Sequence, residues 1–378
     1  MSEVPTALTT LGQAVEFLDS QRRPVKAADR NPGPYPYFGA NGQQGTIDGF
    51  IFDEPLVLLA EDGGHFFEPN RGIAYKISGK TWVNNHAHVL RPKSGTDLDY
   101  LCLVLKHLDV TPQLTGTTRA KLTKAGASRI QIPLPPLAEQ KRIAGILDAA
   151  DALRAKRRES LAQLDTLLQS TFLTLFGDPV TNPMGWENAP LEKLIDPNRP
   201  ITYGILKPGP DIEDGIPYVR VVDIKNEQVL VNQLRRTTVE IANQYNRSRL
   251  KPGDLLMSIR GHVGRMAITP HDAEGANITQ DTARLALAEA EAAYVMQCIT
   301  TQGMQHYMAR RTKGIAVRGI NLGDVKKLPI PTPPLDLQHS FAAVVESVER
   351  QKARLRAHLA ELDTLFASLQ SRAFNGEL

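Results

Sequence analysis

Cysteine is nearly missing from these 378 residues: only Cys102 and Cys298 occur, each inside an apolar run. Two lone thiols exclude a disulfide scaffold and a cysteine-based zinc site, and they suit a reducing cytosol. Long apolar runs are missing too. Stretches such as Tyr100-Leu-Cys-Leu-Val-Leu105 fall far short of the ~18–20 residues that span a bilayer. The first residues carry no basic segment and no apolar block, so no secretion signal is expected. Charge of one sign is lacking as well. With 44 Lys and Arg against 41 Asp and Glu the net charge is +3, which does not by itself mark a nucleic-acid binder. Apolar content of 42% and charged content of 22% are ordinary for a folded soluble protein, and the length allows two or more cores.

Catalytic motifs are equally scarce. Ala74-Tyr-Lys-Ile-Ser-Gly79-Lys80-Thr81 imitates a phosphate-binding loop, but Ala74 stands where the first glycine is required and the segment reads as strand. Gly39-Ala-Asn-Gly42-Gln-Gln-Gly45 lacks dinucleotide-binding spacing and a following helix. His86 and His88 read as two imidazoles on one face of a strand, without a third ligand cluster, so hydrogen bonding is favoured there over metal. Glu139 and Lys141 lie on a helix's first turn, where a carboxylate suits the helix dipole. No nucleophile elbow, metalloprotease motif or methyltransferase-type Asn/Asp-Pro-Pro-aromatic motif occurs. No enzyme and no metal site is expected in this chain.

What the sequence does have is a duplication. Ile132-Pro-Leu-Pro-Pro-Leu-Ala-Glu-Gln140 recurs 198 residues later as Ile330-Pro-Thr-Pro-Pro-Leu-Asp-Leu-Gln338, with six of nine positions identical. At the same offset Leu161-Ala-Gln-Leu-Asp-Thr-Leu167 recurs as Leu359-Ala-Glu-Leu-Asp-Thr-Leu365. Solenoid repeats run roughly 20–50 residues, so this is a duplicated domain-plus-helix unit. Pro135-Pro136 and Pro333-Pro334 bar helix before them and are tolerated at a helix start. Beyond them, residues 137–176 contain only Gly145 as an interruption, and residues 335–374 contain neither Gly nor Pro. Each run of 40 would form a rod of roughly 60 Å at 1.5 Å per residue.

The second run keeps a 4-3 spacing through Phe341, Val345, Val348, Lys352, Leu355, Leu359, Leu362, Phe366, Leu369 and Ala373. The first keeps it through Ile143, Leu147, Ala150, Arg154, Arg157, Leu161, Leu164, Leu168, Thr171 and Leu175. Spacing sustained over five heptads predicts helices paired along their length, with Arg154 and Lys352 as matching polar interruptions. The intervening segments are rich in Gly, Pro, Asn and β-branched residues. Their short apolar runs and turn signals predict two mixed α/β heads, closed by short helices near Leu98–Leu108 and Ala288–Met308.

Two features of the heads point toward a polyanion. Residues 116–131 carry Arg119, Lys121, Lys124 and Arg129 with no acid; residues 310–327 carry six cations against Asp324 alone. Glycine-hinged polar loops occur in both heads. The first has Tyr37, Asn41, Gln43 and Gln44, followed by Asn84, Asn85, His86 and His88. The second has Arg260, His262 and Arg265, followed by Asn277 and Gln280. Asn and Gln can pair bidentately with adenine and Arg with guanine, while backbone N–H groups in such turns reach phosphate. Ordinary turn chemistry explains any one of these residues; the clustering favours the DNA-contact reading.

The chain resembles the specificity subunit of type I restriction–modification systems over essentially its full length. The carriers are the two proline-leader helices, Tyr35-Pro-Tyr-Phe-Gly-Ala-Asn-Gly42 with Trp82-Val-Asn-Asn-His-Ala-His88, Gly253-Asp-Leu-Leu-Met-Ser-Ile-Arg-Gly261 with Asn277-Ile-Thr-Gln280, and the ending Ala373-Phe-Asn-Gly-Glu-Leu378. The resemblance implies an α/β chain with two target-recognition domains, residues 1–136 and 177–334. These are separated by long helices 137–176 and 335–378, which form an antiparallel coiled coil in a pseudo-two-fold arrangement. It implies a non-catalytic cytoplasmic reader of double-stranded DNA, each domain taking one half of a bipartite site while the helices set the spacer. Gly116-Thr117-Thr118-Arg119, with Lys121, and Gly314-Ile-Ala-Val-Arg318 would lie against DNA. Leu137, Gln140, Ile143, Leu335, Gln338 and Phe341 would help dock two methylation subunits, and restriction/translocase subunits would join. S-adenosylmethionine, ATP and Mg2+ are expected on those partners and no cofactor on this chain. The competing readings are a coiled-coil scaffold without base readout and an enzyme with an unfamiliar site; neutralising the basic loops would leave the scaffold's function unchanged, and the enzyme would turn over alone.

Overall fold

The computed structural model describes residues 8–68, 71–116, 119–314, 318–375 and 377–378. It divides into two compact units, one holding residues up to Arg158 together with His358–Leu378, the other Glu159–Ala357.

In the first unit a four-stranded antiparallel sheet runs in the order Val15–Phe17, Ala87–Pro92, Leu56–Ala60, Ala74–Ile77. A second sheet has the order Gly42–Ile47, Tyr35–Gly39, Lys80–Val83, Phe52–Asp53, with only the central pair parallel. Leu56-Val-Leu-Leu-Ala60 is fully buried because it has apolar neighbours on both faces. Alternation along a strand sends Val57 and Leu59 into a core with the helix Leu98–His107, and Leu56 and Leu58 into a core with Phe52, Val83 and Val89. Each such buried side chain contributes roughly 1.5–3 kcal/mol.

The second unit repeats the scheme with different residues. Leu255–Ser258 lies between Thr282–Leu285 and Met266–Ile268, and Ile216–Val219 pairs antiparallel with Arg235–Thr237 and parallel with Asn277–Ile278. Leu255 and Met257 face one core, Leu256 the other. The closing helix expected over Ala288–Met308 is two helices, Ala292–Thr300 and Gln302–Ala309. Thr301 divides them, and its hydroxyl caps the second by accepting from the Met304 N–H at 3.3 Å.

Both proline signatures do the same local work. Gln131–Pro133 pairs with Leu8–Thr10, and Pro329–Pro331 pairs with Asn188–Pro190. The helices Leu137–Phe176 and Leu335–Asn375 then begin directly after the second proline. The Pro136 carbonyl accepts from Glu139 and Gln140, and that of Pro334 from Leu337 and Gln338. All twenty positions of the 4-3 pattern are buried or half-buried, as a paired seam requires.

The pairing is antiparallel within each unit. In the first, Arg154 Nε meets Asp363 Oδ1 at 2.6 Å and the guanidinium lies 4.4 Å from the Phe366 ring. In the second, Lys352 Nζ meets Asp165 Oδ1 at 2.5 Å and Glu349 at 2.6 Å, while Phe172 and Phe176 pack on Phe341. The two ion pairs are copies at the 198-residue offset: each polar interruption takes the aspartate of the opposite Leu-Asp-Thr-Leu motif. Burial alone would lower the Lys352 ammonium, but Asp165 and Glu349 hold it above the usual lysine range. Lys352 is 3% exposed, so its register costs energy to break.

Candidate nucleic-acid interface

The two basic stretches fold into the same small hairpin in both units. Thr115 and Lys121 exchange backbone hydrogen bonds at 2.8 Å, closing the loop between them; Lys313 and Gly319 do so at 2.9 Å. Each closure is pinned to the end of its central strand. Leu122 N–H donates to the Glu61 carbonyl at 2.7 Å, and Ile320 N–H to that of Ile259 at 2.9 Å. Asp62 bridges to Lys121 as Arg260 bridges to Gly319. Every one of these residues matches its counterpart at the offset of the sequence repeat. Gly116 and Gly314 open the loops at φ of 90° and 112°, a conformation only glycine adopts cheaply, so the hairpin needs its glycine in both copies. Thr117 and Thr118 lie outside the described residues, as do residues 315–317 between Gly314 and Arg318.

In the first unit four segments converge beside the hairpin. Asn41 is exposed and donates to the Gly63 carbonyl at 2.9 Å. Exposed Gln44 accepts from Asn84 at 3.2 Å, and Asn84 accepts from the His86 N–H at 2.8 Å. Asp62 Oδ1 holds His86 Nδ1 and, at 3.1 Å, Arg119, whose side chain is 64% exposed. Lys121 Nζ meets Glu61 at 3.0 Å. Gln43 and Asn85 are also exposed at this edge. The loop cations are therefore oriented by acids and still face solvent. A phosphate can exchange with Asp62 for Arg119 at little conformational cost.

In the second unit Arg260 is half exposed and donates to Gln280 at 3.2 Å, with Asp281 at 3.7 Å. His262 is exposed and Arg265 half-buried, on a turn locked by the Ser258 hydroxyl, which accepts from the Arg265 N–H at 2.8 Å. Arg318 is exposed, and its carbonyl accepts from the Gly261 N–H at 2.9 Å. At the second hairpin Arg260 meets Gln280 through its side chain, while Arg318 is tied to Gly261 through its backbone. At one equivalent position the first unit presents an acid, Asp62, and the second an arginine, Arg260.

Several candidates belong to the interior instead. Tyr37 is 1% exposed; its hydroxyl bonds Val25 and Arg30 stacks on its ring at 3.8 Å. Asn277 is fully buried, donating to the Tyr245 carbonyl and the Ser248 hydroxyl at 3.0 Å, where it holds the end of the helix Val239–Gln244. Asn84, 3% exposed, orders its neighbours rather than meeting a ligand. His86 sits in a turn and His88 on the strand after it, so the expected shared strand face does not form. His88 is fully buried, with Nδ1 2.7 Å from Asp19 and Nε2 2.8 Å from the Leu122 carbonyl. Among the proposed docking residues, Gln140, Ile143, Gln338 and Phe341 are buried. Gln140 accepts from the Asp97 N–H and donates to Gly95 and Pro135; Gln338 accepts from the Glu291 N–H and donates to Pro333. These glutamines tie each helix start to its own head. Leu137 and Leu335, 40% and 47% exposed, remain at the surface.

Asp19, Glu61 and His88 come together with metal-like spacing. Their donor atoms are already committed. Arg22 meets Glu61 at 2.6 Å and Asp19 at 3.6 Å, Lys121 takes the other Glu61 oxygen, and both His88 nitrogens face acceptors. Burial pushes both carboxyls up, but the His88 hydrogen bond on Asp19, and those of Arg22 and Lys121 on Glu61, outweigh it and hold both below the usual range. The group is an ion-pair network seating Lys121 and the hairpin. Sequence reasoning missed Asp19, Arg22, Glu61 and Asp62; the 198-residue offset, carried upstream to Asp62 and Arg260, was the available signal for the last.

The model for the type I restriction modification DNA specificity domain matches residues 6–164 and 192–363. The EcoBI specificity subunit of a type I restriction enzyme from Escherichia coli is 31% identical over 65% of this chain and 58% of its own length. A Haemophilus influenzae chain provisionally named a type I restriction enzyme specificity subunit is 29% identical over 90% of this chain and 86% of its own. In fold, the crystal structure of a type I restriction-modification S subunit from M. genitalium is similar with a TM-score of 0.63 at 15% identity, covering 97% of this chain and 96% of that one. With the family model matched twice, at residues 6–164 and 192–363, the chain belongs to the type I restriction–modification DNA specificity family, and the relatives it matches are named specificity subunits.

Proposed function

We propose that this chain reads a bipartite DNA sequence for a type I restriction–modification complex, each head contacting one half-site through its pinned hairpin and the loops beside it. The observation that carries the reading is the recurrence of one basic hairpin, at one place on the sheet, in two heads whose remaining sequences differ. Unlike residues on like frames, Asp62 against Arg260 for example, suit two different half-sites. The paired helices fix the separation between half-sites and so the unspecified spacer. Their outer faces, including Leu137 and Leu335, take two methylation subunits, which with restriction/translocase subunits bring S-adenosylmethionine, ATP and Mg2+; this chain takes no cofactor of its own. Among the described residues no helix is long and apolar enough to cross a membrane. The complex works in the cytoplasm, beside its DNA.

Arg119→Ala or Arg318→Ala in the assembled complex is expected to weaken DNA binding at every salt concentration and to lower the slope of log affinity against log salt by about 0.9. A titration series between about 50 and 200 mM salt reads this directly. Unchanged affinity and slope in both variants would remove the hairpins from the interface and leave a scaffold without base readout.

A further inference from the structure

The second unit has another basic surface, at the opposite end of its central strand from Arg260. Lys251 precedes the strand Leu255–Ser258, and beside it opens a cleft of about 740 Å3 walled by Arg199, Arg247, Arg249, Lys251 and Arg284, with Glu274 as the acid on its rim. Arg199 has its counter-charge, a two-pronged pair with Asp254 at 2.7 and 2.6 Å. Among the described residues the other four cations have no carboxylate within ion-pair distance. Arg249 donates to the Asn243 amide oxygen at 2.7 Å and Arg284 to the Pro200 carbonyl at 3.0 Å, both neutral acceptors. Arg284 is 3% exposed, and its Nε, like that of Arg249, has no acceptor among the described residues. Burial first, and then the Arg199 charge, push the Arg284 guanidinium below the ordinary arginine range.

A buried arginine next to another arginine, without an acid of its own, is costly unless an anion completes it. Guanidinium groups match the paired oxygens of phosphate, and among the described residues no aromatic side chain lines the cleft to stack on a base or nucleoside. We propose that this cleft binds phosphate, and that its occupant is a backbone phosphate of DNA contacted without regard to sequence. The inference rests on the reading of this chain as a DNA binder and extends its footprint to a surface the repeat does not share. Such contacts position a reader on the duplex and carry no base information.

The test uses Arg247→Gln combined with Lys251→Gln, both exposed, in two arms. Inorganic phosphate, exchanged for chloride at constant ionic strength, is expected to raise the Tm of the purified chain and to lose that effect in the double variant. The assembled complex on a duplex lacking its target is expected to show a salt slope lower by about 1.8 in the variant. The same phosphate response in both proteins, or none in either, overturns the site. A phosphate response confined to the unmodified chain with an unchanged slope overturns DNA as the occupant and points to a small phosphate compound. A complex with no salt-dependent DNA binding at all defeats the broader functional reading, while the phosphate arm still decides the cleft.

Discussion

Lengthening both long helices by four residues, after Lys156 and after Glu361, is expected to lengthen the unspecified spacer of the methylated sequence while leaving both half-sites unchanged. The positions follow from the antiparallel register: Arg154 faces Asp363, so residue 156 lies opposite about residue 361. Four residues add about 6 Å of rise and a net rotation of about 40°. Against a step of about 3.4 Å per base pair, that is one to two base pairs. The matched insertion keeps Arg154 with Asp363 and Lys352 with Asp165. An insertion after Lys156 alone cannot keep both pairs in register, because they lie on opposite sides of the inserted turn. Shifting the register takes Asp165 away from the nearly buried Lys352, which keeps only Glu349, and puts the apolar seam out of step on one side of the insertion, so the single insertion is expected to impair assembly. Methylation mapping reads the spacer, and co-purification reads assembly. An unchanged spacer in an intact double-insertion complex would mean that something other than the helices sets the distance.

His88→Ala is expected to cost the first head about 1–3 kcal/mol, the cost of leaving a buried acceptor without its donor. The imidazole is fully buried against the Phe17 ring; its loss removes the side-chain donor at the Leu122 carbonyl and leaves Asp19 with only the Val89 N–H and Arg22. Leu122 belongs to the pin that holds the hairpin, so DNA affinity falls with stability. The pH dependence follows from the two carboxylates. Asp19 and Glu61 are held below their ordinary values of 3.8 and 4.5 in the folded protein. Their contribution is therefore fully present above about pH 4.5 and is lost as pH falls through the lowered values. The unmodified chain should lose part of its stability below pH 4.5. His88→Ala, already without the Asp19 pair, should lose less. Thermal unfolding at pH 7 and at about pH 3, below both ordinary values, measures both; an equal acid loss in the two proteins contradicts the network.

The helices and the duplication were plain in the sequence because both are local. A proline pair marks each helix start, the absence of Gly and Pro marks its length, and period 3.5 marks its buried seam. The common architecture of the heads was not legible. Leu56–Ala60 and Leu255–Ser258 occupy the same central place with few residues in common, since a strand buried on both faces asks only for apolar side chains. Nor was the partner of each polar interruption visible, because Arg154 finds Asp363 only once the helices run in opposite directions.

Polar residues chosen for DNA contact divided for a physical reason. Asn, His and Tyr serve equally to read bases and to satisfy buried backbone groups, and type and spacing do not distinguish the two. Asn277, His88 and Tyr37 turned inward to do the second; Asn41, Gln43 and Arg260 stayed at the surface. The same holds for Gln140 and Gln338, which clamp helix to head where a sequence pattern suggested a docking face. The hairpins were legible as basic stretches. Their pinning to Glu61 and Ile259 was not, since it joins residues some 60 positions apart.

One experiment bears most directly on the chain as a two-part DNA reader: mapping methylated adenines across the genome in cells with the chain, without it, and with residues 8–133 exchanged for the first head of another family member. Loss of a bipartite motif on removal, and replacement of one half of that motif with the other half and its partner intact on exchange, is the predicted result. A methylation pattern indifferent to removal, or an exchange that rewrites both halves together, would contradict it.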